Sequence, residues 1–211
     1  RKALTQQFPG ATISSVQQTP YSGLFEVYLD GQLVYVDAKA QYVFAGDVID
    51  LKNRTNLTQA RLNQLQAVKW DSFPFGNALK TVKGNGARKL VLFPDVDCPY
   101  CRKFEAELAK VDNITVYTFL YPIEGLHPQA TQTSKQIWCA PDRNKAWENY
   151  ITSGAVPKND GKCSNPVEET IALGNKLKVS GTPTLFFANG QRVPGMVPAA
   201  QLEKLLAANA K

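Results

Sequence analysis

The sequence predicts a two-part chain: an α+β N-terminal domain built on a small antiparallel sheet, then a linker helix, then an α/β domain carrying a helical insertion. Three observations predict it. Between residues 12 and 51 short alternating runs are broken by turn residues, as in a meander of strands. Asn56 to Trp70 is polar and helical in spacing, with a thin apolar stripe of Leu62, Leu65 and Val68. Beyond it, strand, helix and strand follow one another between Lys89 and Phe119, a βαβ unit that implies parallel pairing. The expected divisions are 1–55, 56–79 and 80–211.

Residues 1–8 have the character of a short helix ended by Pro9-Gly10. Phe25, Val27 and Leu29 alternate with Glu26, Tyr28 and Asp30; Asp30-Gly31 supplies a two-residue hairpin turn, and Leu33-Val34-Tyr35-Val36 returns. Tyr42-Val43-Phe44 and Val48-Ile49-Asp50-Leu51 read as two more strands of the same sheet. So small a sheet buries little on its own, and its edges and apolar faces favour pairing with a second copy. Asn56, with Gln59 three residues on, is the expected cap of the polar helix.

Leu90-Val91-Leu92-Phe93 reads as a strand buried on both faces, and Ile114 to Phe119 as its parallel neighbour. Residues 128–153 are helical with a break near Ala140-Pro141. Asn165-Pro166 opens another helix, with Asn165 as its cap and Glu168 and Glu169 near the positive end. A strand at Thr184 to Phe187 and a helix over 199–207 close the chain.

Composition narrows the function classes. The 211 residues are 44% hydrophobic, enough to fill a core, and carry a net charge of +6. Basic and acidic residues are interspersed, and no basic cluster alternates with aromatics, so a nucleic-acid partner is not expected. No run approaches the roughly 18 apolar residues of a membrane helix, so membrane insertion is not expected either. The opening RKALTQQF lacks the apolar stretch of a signal peptide, which suits a secreted chain in its mature form.

Four cysteines carry the chemistry. Cys98-Pro99-Tyr100-Cys101 stands where the buried strand turns into a helix-prone segment with Phe104, Leu108 and Val111 on one stripe. A sulfur there meets the positive end of the helix dipole and unpaired backbone N–H groups, which favour thiolate over thiol. The second sulfur lies one turn along, close enough to close a disulfide. Zinc would need two further ligands, and the chain offers one histidine and two distant cysteines. A purely structural bridge between such close neighbours would be easily reduced. Redox exchange is therefore the favoured reading, with Cys98 attacking and Cys101 resolving; neither a metal nor an organic cofactor is required. Cys139 and Cys163 lack that setting and are read as a structural disulfide, worth roughly 3–4 kcal/mol by loop entropy and typical of an oxidising compartment; two buried thiols are the alternative. His127, the one histidine, precedes a helix and is assigned loop or capping duty, as Asp95 and Asp97 are assigned cap or turn duty.

Gly181-Thr182-Pro183-Thr184 stands some 80 residues beyond Cys98-Cys101. Together the two motifs resemble the thioredoxin superfamily, which implies a thioredoxin-like catalytic domain. In it Thr182-Pro183 would form the cis-proline loop facing the dithiol, leaving the Thr182 backbone free to bind an extended substrate. Leu92 stands where thioredoxin has a buried acid, so the resemblance supplies no proton acceptor for Cys101. The order Cys-x-x-Cys, IWCAPDRNKAW, Cys163, SGTPT and NGQRVPG, after a small N-terminal domain and a connector helix, resembles the periplasmic disulfide isomerases of the DsbC/DsbG family over nearly the whole chain. IWCAPDRNKAW and NGQRVPG are most similar to the DsbC branch; the Pro99-Tyr100 dipeptide is more similar to the DsbG branch. The resemblance implies a periplasmic homodimer joined through residues 1 to about 55, acting on misoxidised secreted proteins and kept reduced by a membrane reductase of the DsbD type. It also implies two rivals to the isomerase: a reductase of sulfenic acids on single cysteines, and a dimeric chaperone whose thiols are secondary.

Overall fold

A computed structural model describes residues 2–21 and 23–209, in two units, Arg1–Gln66 and Ala67–Lys211. The first unit opens with helix α1 (Lys2–Gln7), so of the expected helix over 1–8 only residue 1 lies outside the described residues. Strands β1 (Ile13–Gln18), β2 (Phe25–Leu29), β3 (Gln32–Val36) and β4 (Val43–Phe44) form an antiparallel sheet in chain order. Asp30 and Gly31 both take positive φ, 48° and 88°, the backbone of a two-residue hairpin whose twist matches its strands. Leu4, Ile13, Val27, Val34 and Val36 make the core.

The sheet stops one strand short of expectation. β5 (Ile49–Asp50) pairs instead with β6 (Thr55–Asn56), because Asp50 caps Lys52 and Asn53 and turns the chain back on itself. Helix α2 (Leu57–Leu65) starts where expected, with the Asn56 side chain accepting from Gln59 N–H at 2.8 Å, but ends five residues before Trp70. Its anchoring to the sheet is polar rather than through the apolar stripe. Thr58 is its buried residue, bonded to Tyr35 Oη at 2.5 Å, and Arg61 reaches the buried Glu26 at 2.7 Å.

The second unit is a five-stranded sheet with helices on its faces. Strands β7 (Leu79–Lys83), β8 (Arg88–Phe93), β9 (Ile114–Thr118), β10 (Thr184–Phe187) and β11 (Arg192–Pro194) stand in the order β11-β10-β8-β9-β7. β8 and β9 are parallel and the remaining pairs antiparallel. β7 has no counterpart among the sequence expectations; its run LKTVK has too few apolar residues to announce a strand, and its pairing with β9 decides it.

Helices α3 (Pro99–Leu108), α4 (Ala130–Trp138), α5 (Arg143–Ser153), α6 (Val167–Lys176) and α7 (Ala199–Ala208) complete the unit. β8 lies at the centre with Leu90 to Phe93 fully buried. Because side chains alternate across a strand, Leu90 and Leu92 face Phe104 and Leu108 of α3 and Leu202 of α7, while Val91 and Phe93 enter an aromatic cluster with Phe73, Phe119, Tyr121 and Phe186. The helical insertion, α4 and α5, builds a third cluster around Leu79, Val96, Ile137 and Trp147. Pro166 rather than Asn165 occupies the α6 cap position; Asn165 Oδ1 still accepts from Val167 N–H at 3.3 Å.

Candidate active site

Four elements meet at the dithiol. β8 delivers the chain to Pro94, and a turn over Asp95 to Asp97 carries it into α3, whose cap position is Cys98 and whose first helical residue is Pro99. Proline suits that place, since its missing N–H has no intrahelical partner to lose. No side chain caps α3, so its first-turn N–H groups surround the Cys98 position, where the helix dipole favours negative charge. Cys98 and Cys101 are free thiols, 7% and 1% exposed. Tyr100 between them is 59% exposed, with Lys103 Nζ 5.5 Å from its ring centre.

The loop before β10 closes the site. The Thr182-Pro183 peptide bond is cis, and the Cys98 thiol donates to the Thr182 carbonyl at 3.4 Å. Gly195 N–H donates to the Pro183 carbonyl at 2.7 Å, fixing the loop to the end of β11. Burial pushes the Cys101 thiol well above its ordinary pKa and the Cys98 sulfur adds to this; the Thr182 side chain and the Asp95 backbone pull the other way.

Behind the sulfurs, Asp95 is completely buried. One carboxylate oxygen accepts from Asp97 N–H at 2.8 Å, which is the turn expected of it; the other accepts from Ile123 N–H at 2.6 Å and lies 3.0 Å from His127 Nδ1. Asp97 accepts from the Tyr150 hydroxyl of α5, and burial together with that contact pushes Tyr150 up to about 12. Thus Asp97 caps no helix, and His127 does more than loop duty: its side chain reaches the active-site turn. Tyr150 went unnoticed in the sequence, where nothing distinguishes it from other tyrosines on helices. The one available signal for His127 was its being the sole histidine. Cys139, at the end of α4, is bonded to Cys163 with Cα atoms 5.6 Å apart. Among the described residues no three His, Cys, Asp or Glu side chains group as metal ligands.

A dithiol at a helix start, facing a cis-proline loop on a central βαβ sheet, defines a thioredoxin-fold thiol–disulfide oxidoreductase. Comparison with known proteins narrows the class. Residues 1–59 match the family model "Disulfide bond isomerase protein N-terminal domain" and residues 75–210 match "Thioredoxin-like domain". The chain is 42% identical over 206 residues to a probable thiol:disulfide interchange protein DsbC of Bordetella parapertussis, covering 98% of this chain and 72% of that one. It is 28% identical over 202 residues to the Escherichia coli K12 protein DsbC, covering 93% and 82%. A crystal structure of a disulfide interchange protein from Neisseria gonorrhoeae superposes with a TM-score of 0.63 at 42% identity, over 66% of this chain and 99% of that one. The chain belongs to the DsbC family of thiol:disulfide interchange proteins.

Proposed function

We propose that this thiol:disulfide interchange protein is a disulfide isomerase of the bacterial periplasm. The observation that carries the reading is the asymmetry of the two sulfurs. Cys98 occupies the cap position of α3 beside the cis-proline loop, whereas Cys101 lies one turn along, more enclosed, and burial holds its thiol protonated. The Cys98 thiolate attacks a wrong disulfide, forming a mixed disulfide and releasing one substrate thiolate, which takes up a proton. A second substrate thiolate then displaces Cys98 in a new pairing, with no net change of oxidation state. Cys101 competes by losing its proton and closing the Cys98–Cys101 bridge, which passes two electrons to the substrate. A protonated Cys101 competes poorly, so the mixed disulfide lasts long enough for reshuffling. Electrons spent on reduction are returned by a membrane reductase of the DsbD type.

The same reading makes the protein a homodimer. Residues 1 to about 55 would supply the interface, with 56–79 as linker and 80–211 as catalytic domain. Tyr42, Val43, Phe44, Ile49 and Leu51 are exposed large hydrophobic side chains in this unit, and β4 is the edge strand of its sheet. Such an edge invites pairing with another copy. Thr182 and Pro183 bind the client backbone, Pro99 and Tyr100 face the client, and the Cys139–Cys163 bridge holds the insertion.

Cys98→Ala is expected to abolish reshuffling of a scrambled multi-disulfide protein, by at least about 1000-fold in rate given that no other free thiol stands at a helix start; residual reshuffling at more than a tenth of the parent rate sinks the isomerase reading. A chaperone reading predicts that the same variant still suppresses aggregation. Clients trapped on Cys98 in a Cys101→Ala variant separate isomerase from sulfenic-acid reductase: multi-disulfide clients for the first, single-cysteine clients for the second.

A further inference from the structure

We propose that His127 is a positioning residue for thiol exchange, acting on Cys98 through the buried carboxylate of Asp95. Asp95 touches the dithiol by its backbone, its carbonyl accepting from Cys98 N–H at 3.2 Å. The Asp95 carboxylate fixes that backbone by accepting from Asp97 N–H, inside the turn, and from Ile123 N–H, on the segment after β9. It is therefore the joint between the active-site turn and the chain that leads to α4.

A carboxylate with no solvent exposure is costly unless charge and hydrogen bonds compensate it. The two N–H groups supply the hydrogen bonds. His127 Nδ1 is the third neighbour, in contact at 3.0 Å without hydrogen-bond alignment; it finds no other polar partner among the described residues. His127 is itself held, its N–H donating to the Ile123 carbonyl at 2.9 Å and its carbonyl accepting from Ala130 N–H at the start of α4 at 3.0 Å. The ring is thus fixed by the same short segment that donates Ile123 N–H to Asp95. Loss of the imidazole removes the ring that packs on the carboxylate at the joint. The turn then loosens and Cys98 shifts from its place at the helix start, against the Thr182 carbonyl.

The inference rests on Cys98 as the attacking sulfur, and direct alkylation of Cys98 tests it apart from any isomerase assay. In the full-length reduced protein, His127→Leu is expected to slow Cys98 alkylation by iodoacetamide at pH 7 about 3- to 10-fold and to shift the Cys98–Cys101 equilibrium with glutathione by a similar factor. His127→Asn, which keeps a donor at that place, is expected to recover the parent rate within twofold. In an Asp95→Asn background His127→Leu is expected to add nothing. If Asp95→Asn does not fold, the two His127 variants decide alone. A His127→Leu protein that melts earlier but is alkylated at the parent rate overturns the inference, as does an effect of equal size with and without the Asp95 carboxylate. If Cys98 of the parent protein reacts no faster than an ordinary surface thiol, the isomerase reading fails instead.

Discussion

The two units solve burial in opposite ways. In residues 67–211 long apolar runs and an aromatic cluster are inside, with single side chains such as Tyr100 and Leu126 left out: β8 has four consecutive fully buried residues, and Phe93 stacks on Phe119 with ring centres 5.1 Å apart. In residues 1–66 the core is five residues of modest size, the helix is fastened by polar pairs, and aromatic and aliphatic side chains remain outside, Leu51 at 86% exposure. The first arrangement encloses its largest apolar side chains; the second leaves a cluster of them exposed near one sheet edge. The difference teaches where each unit is vulnerable, one to cavities and the other to loss of single polar contacts.

The largest effect belongs to the aromatic cluster. Phe93→Ala is expected to cost about 3–5 kcal/mol, since Phe73, Phe119, Tyr121 and Phe186 surround the ring and cannot all collapse into the space. All three tryptophans, Trp70, Trp138 and Trp147, lie in this unit. Urea unfolding followed by tryptophan fluorescence therefore reports it selectively, and a midpoint equal to that of the parent would refute the account of the core.

Arg61→Ala tests the other side of the comparison. It leaves the Glu26 carboxylate, 9% exposed, without its cation, and removes a donor to Gln17. An expected loss of about 2 kcal/mol falls on the N-terminal unit and should appear in far-UV circular dichroism and hydrogen exchange of β1 to β3, with tryptophan fluorescence unmoved. A fluorescence midpoint that drops with it would show that the units do not unfold separately.

The same contrast explains what the sequence made legible. Burial by long apolar runs is written locally, so Leu90 to Phe93, the stripe of α3 and the βαβ order were readable; Cys98 and Cys101 were singled out by their spacing at a helix start, and Thr182-Pro183 by resemblance to the thioredoxin superfamily. What pairing decides was not readable. β7 is a strand because β9 offers it a ladder, and β5 leaves the meander because Asp50 turns the chain. The polar contacts behind the sulfurs join residues far apart in the chain, Asp95 to Ile123 and His127, Asp97 to Tyr150, and no local pattern marks such partners.

The smallest effect sharpens the comparison from within the catalytic unit, where a second acid besides Asp95 departs from its rule of apolar burial. Glu105 lies one turn beyond Cys101 on α3. Burial pushes its carboxyl up to about 7, against the opposing influence of the Trp147 side chain and the charge of Lys83. A carboxyl whose native pKa exceeds its unfolded value binds more protons when folded. Its contribution is therefore fully favourable below the unfolded value of 4.5 and lost as pH rises through about 7. Glutamine keeps the size and shape of the side chain and never ionises. Glu105→Gln is thus expected to match the parent at pH 4.5 and exceed it by about 1–2 kcal/mol at pH 8, read as a higher urea midpoint at unchanged slope. Equal midpoints at pH 8 would mean that water reaches the carboxylate and that this unit, like the N-terminal one, tolerates a charge at the edge of its core.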